Sequence, residues 1–433
     1  MTITPIIKKF KDSKFAKDSF WAVFGNGIGY AFLLVSGIII ARIIGKDLYG
    51  EYGMVKSTMF IMAVFATFGL GDTSTKFVAE YLEKSPKSVR EIIISCLKIT
   101  LAFSSLICIL LIVFAKPISL FVNEPKLVNP FRFLGVIIIF RAIGTVCAGI
   151  LGGLKMYKKI GLNNILSGVS MFVICIPFTY LWGINGALIS LLTSQLLLGA
   201  LNFIAISRYL KVTPTCSDER FEKTIIRFSF PFALKELAFT VSQWGMPLLI
   251  TKYASLGELG MYTACSQWNA IILFMPSLLG NVILSYLSTT AAGNDSSHKL
   301  LIRRMLMINF FSTLVPLIIV FMASPLIEAY YGPTFIGMSK ILSVLVVSTL
   351  FMCLSRVFHS NLMSEGRKWT AFIISGSYDM LLVLFTFILL KLTNGENAAM
   401  NLSILLVFST FVDLMVYIVE YKIHQRISIR EQY

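Results

Sequence analysis

The chain has 433 residues, of which 56% are hydrophobic and only 14% are charged, and its mean hydropathy is +0.80. This composition excludes an ordinary soluble globular protein and is typical of a membrane protein with many spans. The net charge of +16 does not indicate nucleic-acid binding, because no soluble basic domain with interleaved aromatic residues lies outside the apolar segments.

Twelve apolar segments, each long enough to cross a bilayer as a helix, follow one another along the chain. We place them at residues 19–41, 50–72, 91–114, 128–151, 160–182, 185–207, 228–251, 260–287, 305–323, 338–362, 369–390 and 398–420. The first is too long for the core of a signal peptide, so it is expected to stay as an uncleaved anchor. The tightest connection is Gly183-Ile184, which leads directly into Asn185-Gly186.

The basic residues in the connections predict the orientation of the chain. If the N-terminus is cytoplasmic, 25 Lys and Arg residues lie in connections on the cytoplasmic side and 6 on the opposite side. This asymmetry follows the positive-inside rule. Because the number of spans is even, both termini are expected in the cytoplasm.

Short sequence matches predict that the second half of the chain repeats the first. The segment Gly50-Glu51-Tyr52-Gly53-Met54 recurs as Gly257-Glu258-Leu259-Gly260-Met261 at an offset of 207, and two further short matches have an offset of 208. Each repeat would hold six spans, and an even number makes the repeats parallel. We therefore predict an all-α fold of two parallel six-helix bundles, residues 1–211 and 212–433, around a central cavity.

Several spans contain Lys or Arg, although a cation at the bilayer centre costs about 2.5–3.5 kcal/mol. Such cations are expected to line a shared aqueous cavity, which would favour an anionic substrate. The candidates for substrate binding are Arg141, Lys235, Arg356, Lys98 and, nearer the external face, Arg132. Lys56 and Lys340 lie close enough to the external interface for their side chains to reach water.

Intramembrane acids offer a competing explanation, because they would neutralise these cations. The acids that lie away from the span ends are Glu236, Asp379 and Asp413. They are candidates for binding protons during a coupled transport cycle, with structural pairing as the alternative. The cavity is cationic only if these acids are protonated or lie elsewhere.

Amide and aromatic side chains cluster in the seventh and eighth spans, at Gln243, Trp244, Gln267 and Trp268. Amides suit sugar hydroxyls and aromatic faces suit sugar rings, so these residues are candidates for binding a saccharide. The alternative is that they form hydrogen bonds between helices or, for the tryptophans, lie at the membrane interface.

No motif for hydrolysis or group transfer is visible in the sequence. Of the three histidines, only His359 lies in a span, and the seven cysteines form no CxxC pair. The external connections are too short for a catalytic domain. The sequence therefore predicts no enzymatic activity, no metal site and no cofactor.

Three short motifs at span ends carry a family resemblance. Gly50-Glu51-Tyr52-Gly53 follows the first helix, Phe68-Gly69-Leu70-Gly71 ends the second, and Phe228-Ser229-Phe230-Pro231 opens the seventh. With two six-helix halves, the chain resembles, over nearly its whole length, the polysaccharide and O-antigen lipid flippases of the multidrug, oligosaccharidyl-lipid and polysaccharide exporter superfamily.

The resemblance implies a flippase in the bacterial inner membrane that moves an undecaprenyl-diphosphate-linked oligosaccharide, an O-antigen or capsule repeat unit, by alternating access. The expected partners are this lipid-linked substrate and membrane lipids, with a polysaccharide polymerase and assembly proteins as further candidates. Two alternatives remain open: a multidrug or cation antiporter of the same superfamily, and a membrane-embedded glycosyltransferase or polymerase.

Overall fold

A computed structural model describes residues 14–212, 221–277 and 295–431, and these residues are helical with short connections and no strand. We number the helices α1 (Lys14–Thr67), α2 (Leu70–Lys84), α3 (Val89–Phe121), α4 (Val128–Gly153), α5 (Tyr157–Val212), α6 (Glu222–Tyr253), α7 (Leu256–Ile272), α8 (Asp295–Tyr331), α9 (Met338–Leu345), α10 (Ser348–Ser364), α11 (Lys368–Leu392) and α12 (Ala398–Glu431). The all-α polytopic fold predicted from the sequence is confirmed.

Two helices each contain two predicted spans. Helix α1 is interrupted at Gly45 (φ 76°, ψ 172°), and α5 at Gly183 (φ 53°, ψ −130°). Both backbone conformations suit glycine, because a side chain is strained at such positive φ values. The glycine turns of the sequence therefore separate spans 1 and 2, and spans 5 and 6, as predicted.

The end of the second span was predicted too late. The helix stops at Thr67, and Phe68 (φ 49°) and Gly69 (φ 69°) adopt left-handed backbone conformations before α2 begins at Leu70. Helix α2 buries Phe77 and Val78 and exposes Asp72 and Lys76 on the opposite side. It is a short amphipathic helix, which a window search for apolar segments does not detect.

Eight helices in the described part of the chain are long and apolar enough to cross a membrane. Two of these, at 44 and 54 residues, are long enough to cross it twice. The seventh and eighth predicted spans correspond to α6 and α7, which are not among the eight. Helix α6 contains Lys235 and Glu236, and the eighth predicted span continues beyond residue 277, outside the described residues.

The chain forms two compact units, which we call unit 1 (Met1–Ile44 and Glu51–Leu248) and unit 2 (Gly45–Gly50 and Leu249–Tyr433). The core of unit 1 joins α2, α3, α4 and the end of α5. Among its fully buried side chains are Val78, Ile92, Ile93, Cys147, Ile150 and Ile206. The start of α6 adds to it, since the Ser229 hydroxyl donates to Thr73 Oγ1 at 3.0 Å.

Unit 2 has a core between α10, α11 and α12, formed by Phe358, Leu362, Ala371, Leu414 and Tyr417. The turn at residues 45–50 also packs in this unit, where Gly50 lies against Leu256 and Gly260 of α7. The two compact units are defined by packing and not by sequence similarity, so they do not test the repeat. The division into bundles 1–211 and 212–433 stays a prediction.

Candidate functional site

Arg141 lies in unit 1, half-buried in the middle of α4. Its Nη1 donates to Gln195 Oε1 of α5 at 3.3 Å, and its Cζ lies 5.2 Å from the centre of the Phe60 ring of α1. Its Nε is buried and has no hydrogen bond within the described residues. The guanidinium group therefore has an aromatic neighbour and one neutral acceptor.

A second cation, Lys56, interacts electrostatically with Arg141. The two side chains are close enough for their positive charges to repel each other. Lys56 and Phe60 are four residues apart in α1, so they lie on the same face of that helix. In the parts of the chain that the structure describes, neither cation has an ion pair with a carboxylate.

This pair is suited to an anion with more than one charge. Two like charges in a poorly hydrated region repel each other, and an anion between them replaces that repulsion with two attractions. A guanidinium group can also present two parallel N–H donors to a phosphate, while an ammonium group acts as a point charge. We call Lys56, Phe60, Arg141 and Gln195 the Arg141 site.

Among the other cations of the predicted spans, the structure describes the side chains of four, and each is exposed. Lys98 on α3 and Arg132 near the start of α4 are exposed, and Arg356 is exposed on α10 of unit 2. The side chain of Lys235 lies outside the described residues. Lys340 is exposed as well, and its contact with water stays a prediction.

The predicted saccharide-binding residues divide between the two units. In unit 1, Gln243 is exposed, and Trp244 Nε1 donates to Thr58 Oγ1 at 3.1 Å. In unit 2, Gln267 is buried and donates to the Tyr49 hydroxyl, while Trp268 lies beside the hydroxyl of Tyr331. Trp244 and Gln267 thus make the interhelical contacts that the sequence offered as the alternative.

Two of the predicted proton-binding acids belong to unit 2. Asp379 of α11 and Asp413 of α12 are half-buried, and both interact electrostatically with Tyr378 and Tyr417. The Tyr417 hydroxyl lies 3.0 Å from His359 Nδ1. Glu236 is exposed on α6 and belongs to unit 1.

The sequence prediction did not include Lys56 or Gln195 in the site. The sequence predicts that the Lys56 side chain reaches water at the external interface, and its position four residues before Phe60 shows only that both residues lie on one helix face. Within the described residues, no group of three or more His, Cys, Asp or Glu side chains could hold a metal ion. The six cysteines that the structure describes are buried and unbridged.

Comparison with known proteins identifies relatives of the chain. Residues 15–291 match the family model described as "Polysaccharide biosynthesis protein". The chain is 24% identical over 252 residues to the succinoglycan biosynthesis transport protein ExoT of Rhizobium meliloti (strain 1021). That match covers 58% of this chain and 49% of ExoT, so the chain spans about half the length of this curated relative.

Solved structures with the same fold are membrane transporters. An inward-facing multidrug resistance transporter of the MATE family, in the MOP superfamily, has a TM-score of 0.78 at 16% identity and covers 93% of this chain and 96% of its own. The lipid II flippase MurJ in its inward closed conformation has a TM-score of 0.74 at 16% identity, over 94% of this chain and 87% of its own. These similarities establish the twelve-helix membrane fold.

Proposed function

This chain belongs to the polysaccharide biosynthesis protein family, and we propose that it is a flippase for an undecaprenyl-diphosphate-linked oligosaccharide, an O-antigen or capsule repeat unit. It moves this substrate from the cytoplasmic to the outer leaflet of the bacterial inner membrane, with both of its own termini in the cytoplasm. One curated relative is named as a transport protein of succinoglycan biosynthesis, and a lipid flippase shares the fold of this chain. Both similarities support a lipid-linked substrate.

The observation that carries the proposal is the pair of Lys56 and Arg141 within the spans of unit 1, without an acidic partner in the described residues. A diphosphate carries its charge in a small volume and offers acceptors to both side chains. The polyprenyl tail stays in the lipid, while the diphosphate and its sugars pass the Arg141 site by alternating access. Phe60 gives the first sugar an apolar face.

Asp379 and Asp413 are proposed to take up protons in the same cycle. They belong to unit 2 and the Arg141 site belongs to unit 1, so protonation and anion binding use different residues. The chain needs no catalytic group for this activity, because no covalent bond changes. Membrane lipids, a polysaccharide polymerase and assembly proteins remain the proposed partners.

A multidrug or cation antiporter is the second candidate, and the fold shared with a multidrug transporter favours it. A cationic drug would need a site dominated by acids, whereas Lys56 and Arg141 would repel it. The two candidates therefore differ in the charge of the substrate, which an experiment can test directly.

The test uses purified protein in proteoliposomes and a fluorescent undecaprenyl-diphosphate oligosaccharide, with the leaflet position read by a membrane-impermeant quencher. We expect flipping by the wild type and a loss of about 10- to 100-fold in Lys56→Ala and Arg141→Ala, since a hydrogen bond to a charged group contributes about 1.5–3 kcal/mol. Lys56→Arg and Arg141→Lys should keep more activity, because they keep the charge.

The control variant is Lys126→Ala, which removes an exposed positive charge between α3 and α4. It should flip the lipid as the wild type does. Normal flipping in both Lys56→Ala and Arg141→Ala, at equal protein levels, would exclude the Arg141 site. Transport of a cationic dye without flipping of the diphosphate lipid would instead establish the antiporter.

A further inference from the structure

A second group of charged side chains lies at the end of unit 2 that is predicted to face the cytoplasm. It brings together the first turns of α8, the end of α10 and the last turns of α12. We call it the Glu365 cluster, and its members are His298, Asn361, Glu365, Arg367, Glu420 and His424.

Asn361 fixes the hydrogen-bond direction on one side of the cluster. Its Nδ2 donates to Glu365 Oε1 at 2.8 Å, so its Oδ1 is left to accept from His298 Nε2, also at 2.8 Å. His298 Nε2 lies 3.8 Å from Glu365 Oε1 as well. The His298 ring is thus held beside the carboxylate with a proton on Nε2.

The other carboxylate oxygen of Glu365 faces two more basic groups. His424 Nε2 lies 3.7 Å from Oε2, and Arg367 Nη1 lies 4.0 Å from it. Neither Oε2 nor Nη1 has a hydrogen bond within the described residues, although both atoms are buried. Arg367 Nη2 pairs with Glu420 Oε1. Glu365 therefore has two histidines and one arginine as its ionic neighbours.

The charge balance of the cluster depends on the two histidines. With both neutral, two carboxylates face one guanidinium group, a net charge of −1. With both protonated, the net charge is +1 and Glu365 has three cationic neighbours. The side chains of His298 and Glu365 are only 11% and 19% exposed, so water screens this interaction weakly, whereas His424 is 42% exposed.

We propose that the Glu365 cluster is a proton-operated clamp on the cytoplasmic ends of α8, α10 and α12. Protonation of His298 and His424 draws α8 and α12 towards Glu365 at the end of α10. Histidine changes its charge between about pH 5 and 8, so the clamp responds to the pH of the cytoplasm. All members of the cluster belong to unit 2.

Other charged groups nearby do not alter the sign of this response. Lys299, Arg303 and Arg304 follow His298 on α8, and Lys422 lies between Glu420 and His424 on α12. Lysine and arginine, unlike histidine, are not the side-chain types that change charge between pH 5 and 8. Positive charge on either histidine lies beside the Glu365 carboxylate and strengthens the clamp, so we expect the clamp at low pH and its loss as the pH rises.

The experiment measures the distance between α8 and α12 in the full-length protein. Spin labels at Leu300 and Lys422, two exposed positions, are introduced in a background without native cysteines, and pulsed electron paramagnetic resonance is recorded at pH 6 and pH 8. We expect a narrow distance distribution at pH 6 and a longer or at least twofold broader one at pH 8. His298→Gln/His424→Gln should give the same distribution at both pH values.

His359→Gln is the matched control, because it removes the remaining histidine by the same substitution outside the cluster. It should keep the full pH response, while Glu365→Gln should lose it. The melting temperature of the unlabelled protein provides a second measurement: we expect a rise from pH 8 to pH 6 that falls by at least half in the double variant. A pH-independent distance in the wild type, or an unchanged response in the double variant, would overturn the clamp.

Discussion

Gly50 and Gly260 face each other within unit 2, and neither position has room for a side chain. A Cβ atom on either residue would lie 3.1 Å from the backbone nitrogen of the other. It would also collide with a carbonyl oxygen, that of Leu256 for Gly50 and that of Lys46 for Gly260. Small residues allow such close approach of helices in membrane proteins. The two glycines belong to the two copies of the repeated sequence motif.

We expect Gly50→Ala and Gly260→Ala each to destabilise the protein by about 1–3 kcal/mol, because the added methyl group must displace backbone atoms. The measurement is the melting temperature in detergent and the amount of folded protein in the membrane. Gly376→Ala is the control, since a Cβ at Gly376 meets no atom within 4 Å and alanine favours the helix. Equal stability of Gly260→Ala and Gly376→Ala would contradict the steric argument.

The positions of the helix breaks could be predicted from the sequence because glycine marks them. Gly45 and Gly183 stand where the backbone adopts positive φ, and the apolar windows end close to them. Helix α2 was missed because its apolar residues are spaced at helical intervals among polar ones, which lowers the average over a window.

The Arg141 site could be predicted only in part. Arg141 stands out as a cation in the middle of an apolar span. The pairing with Lys56 depends on how α1 and α4 pack against each other, and one sequence does not contain that information. The sequence suggests saccharide binding for Trp244 and Gln267, but the structure shows hydrogen bonds from them to Thr58 and Tyr49. These partners are nearly two hundred or more positions away in the sequence, so the contacts also depend on helix packing.

The break in α5 at Gly183 gives a prediction about backbone strain alone. No atom lies within 4 Å of a Cβ built at this position, yet its φ is 53° and its ψ is −130°. We expect Gly183→Ala to lower stability by about 1–3 kcal/mol through backbone strain. The melting temperature measures this, with Gly376→Ala again as the control. An unchanged melting temperature would mean that the break tolerates a side chain.

The proposed proton coupling requires Asp413 to take up a proton, which asparagine at the same position cannot do. In proteoliposomes with an imposed pH gradient, the wild type should flip the diphosphate lipid faster than without the gradient. Asp413→Asn should lose this stimulation, because asparagine binds no proton, while Asp413→Glu should keep part of it. The control is Glu396→Gln, in an exposed connection before α12. Full stimulation in Asp413→Asn would exclude the role of this residue.

The predicted orientation can be tested with reporter fusions in cells. The positive-inside asymmetry places the connections around Lys159 and Lys299 in the cytoplasm. Fusions after these two residues should therefore be active with a cytoplasmic reporter and inactive with a periplasmic one. Fusions after Lys126 should give the opposite result, which serves as the control. A periplasmic signal at Lys159 would contradict the predicted orientation.

The contact between Arg141 and Gln195 provides the sharpest test of an anion site. Gln195→Glu places a carboxylate 3.3 Å from the guanidinium group. This carboxylate would pair with Arg141 and neutralise the positive charge that the diphosphate needs. We expect the flipping rate at low substrate concentration to fall by about 10-fold or more, since 1.4 kcal/mol corresponds to a tenfold change. The concentration for half-maximal flipping should rise.

Gln195→Leu is the matched variant, because it removes the same hydrogen bond without adding a charge. If the charge at Arg141 matters, Gln195→Leu should lose much less activity than Gln195→Glu. If only the hydrogen bond matters, the two variants should lose the same amount of activity. Adding Arg141→Gln to Gln195→Glu should not restore flipping, since the pair then carries a net negative charge. Restored flipping in that double variant would show that Arg141 holds α4 against α5 and does not bind the substrate.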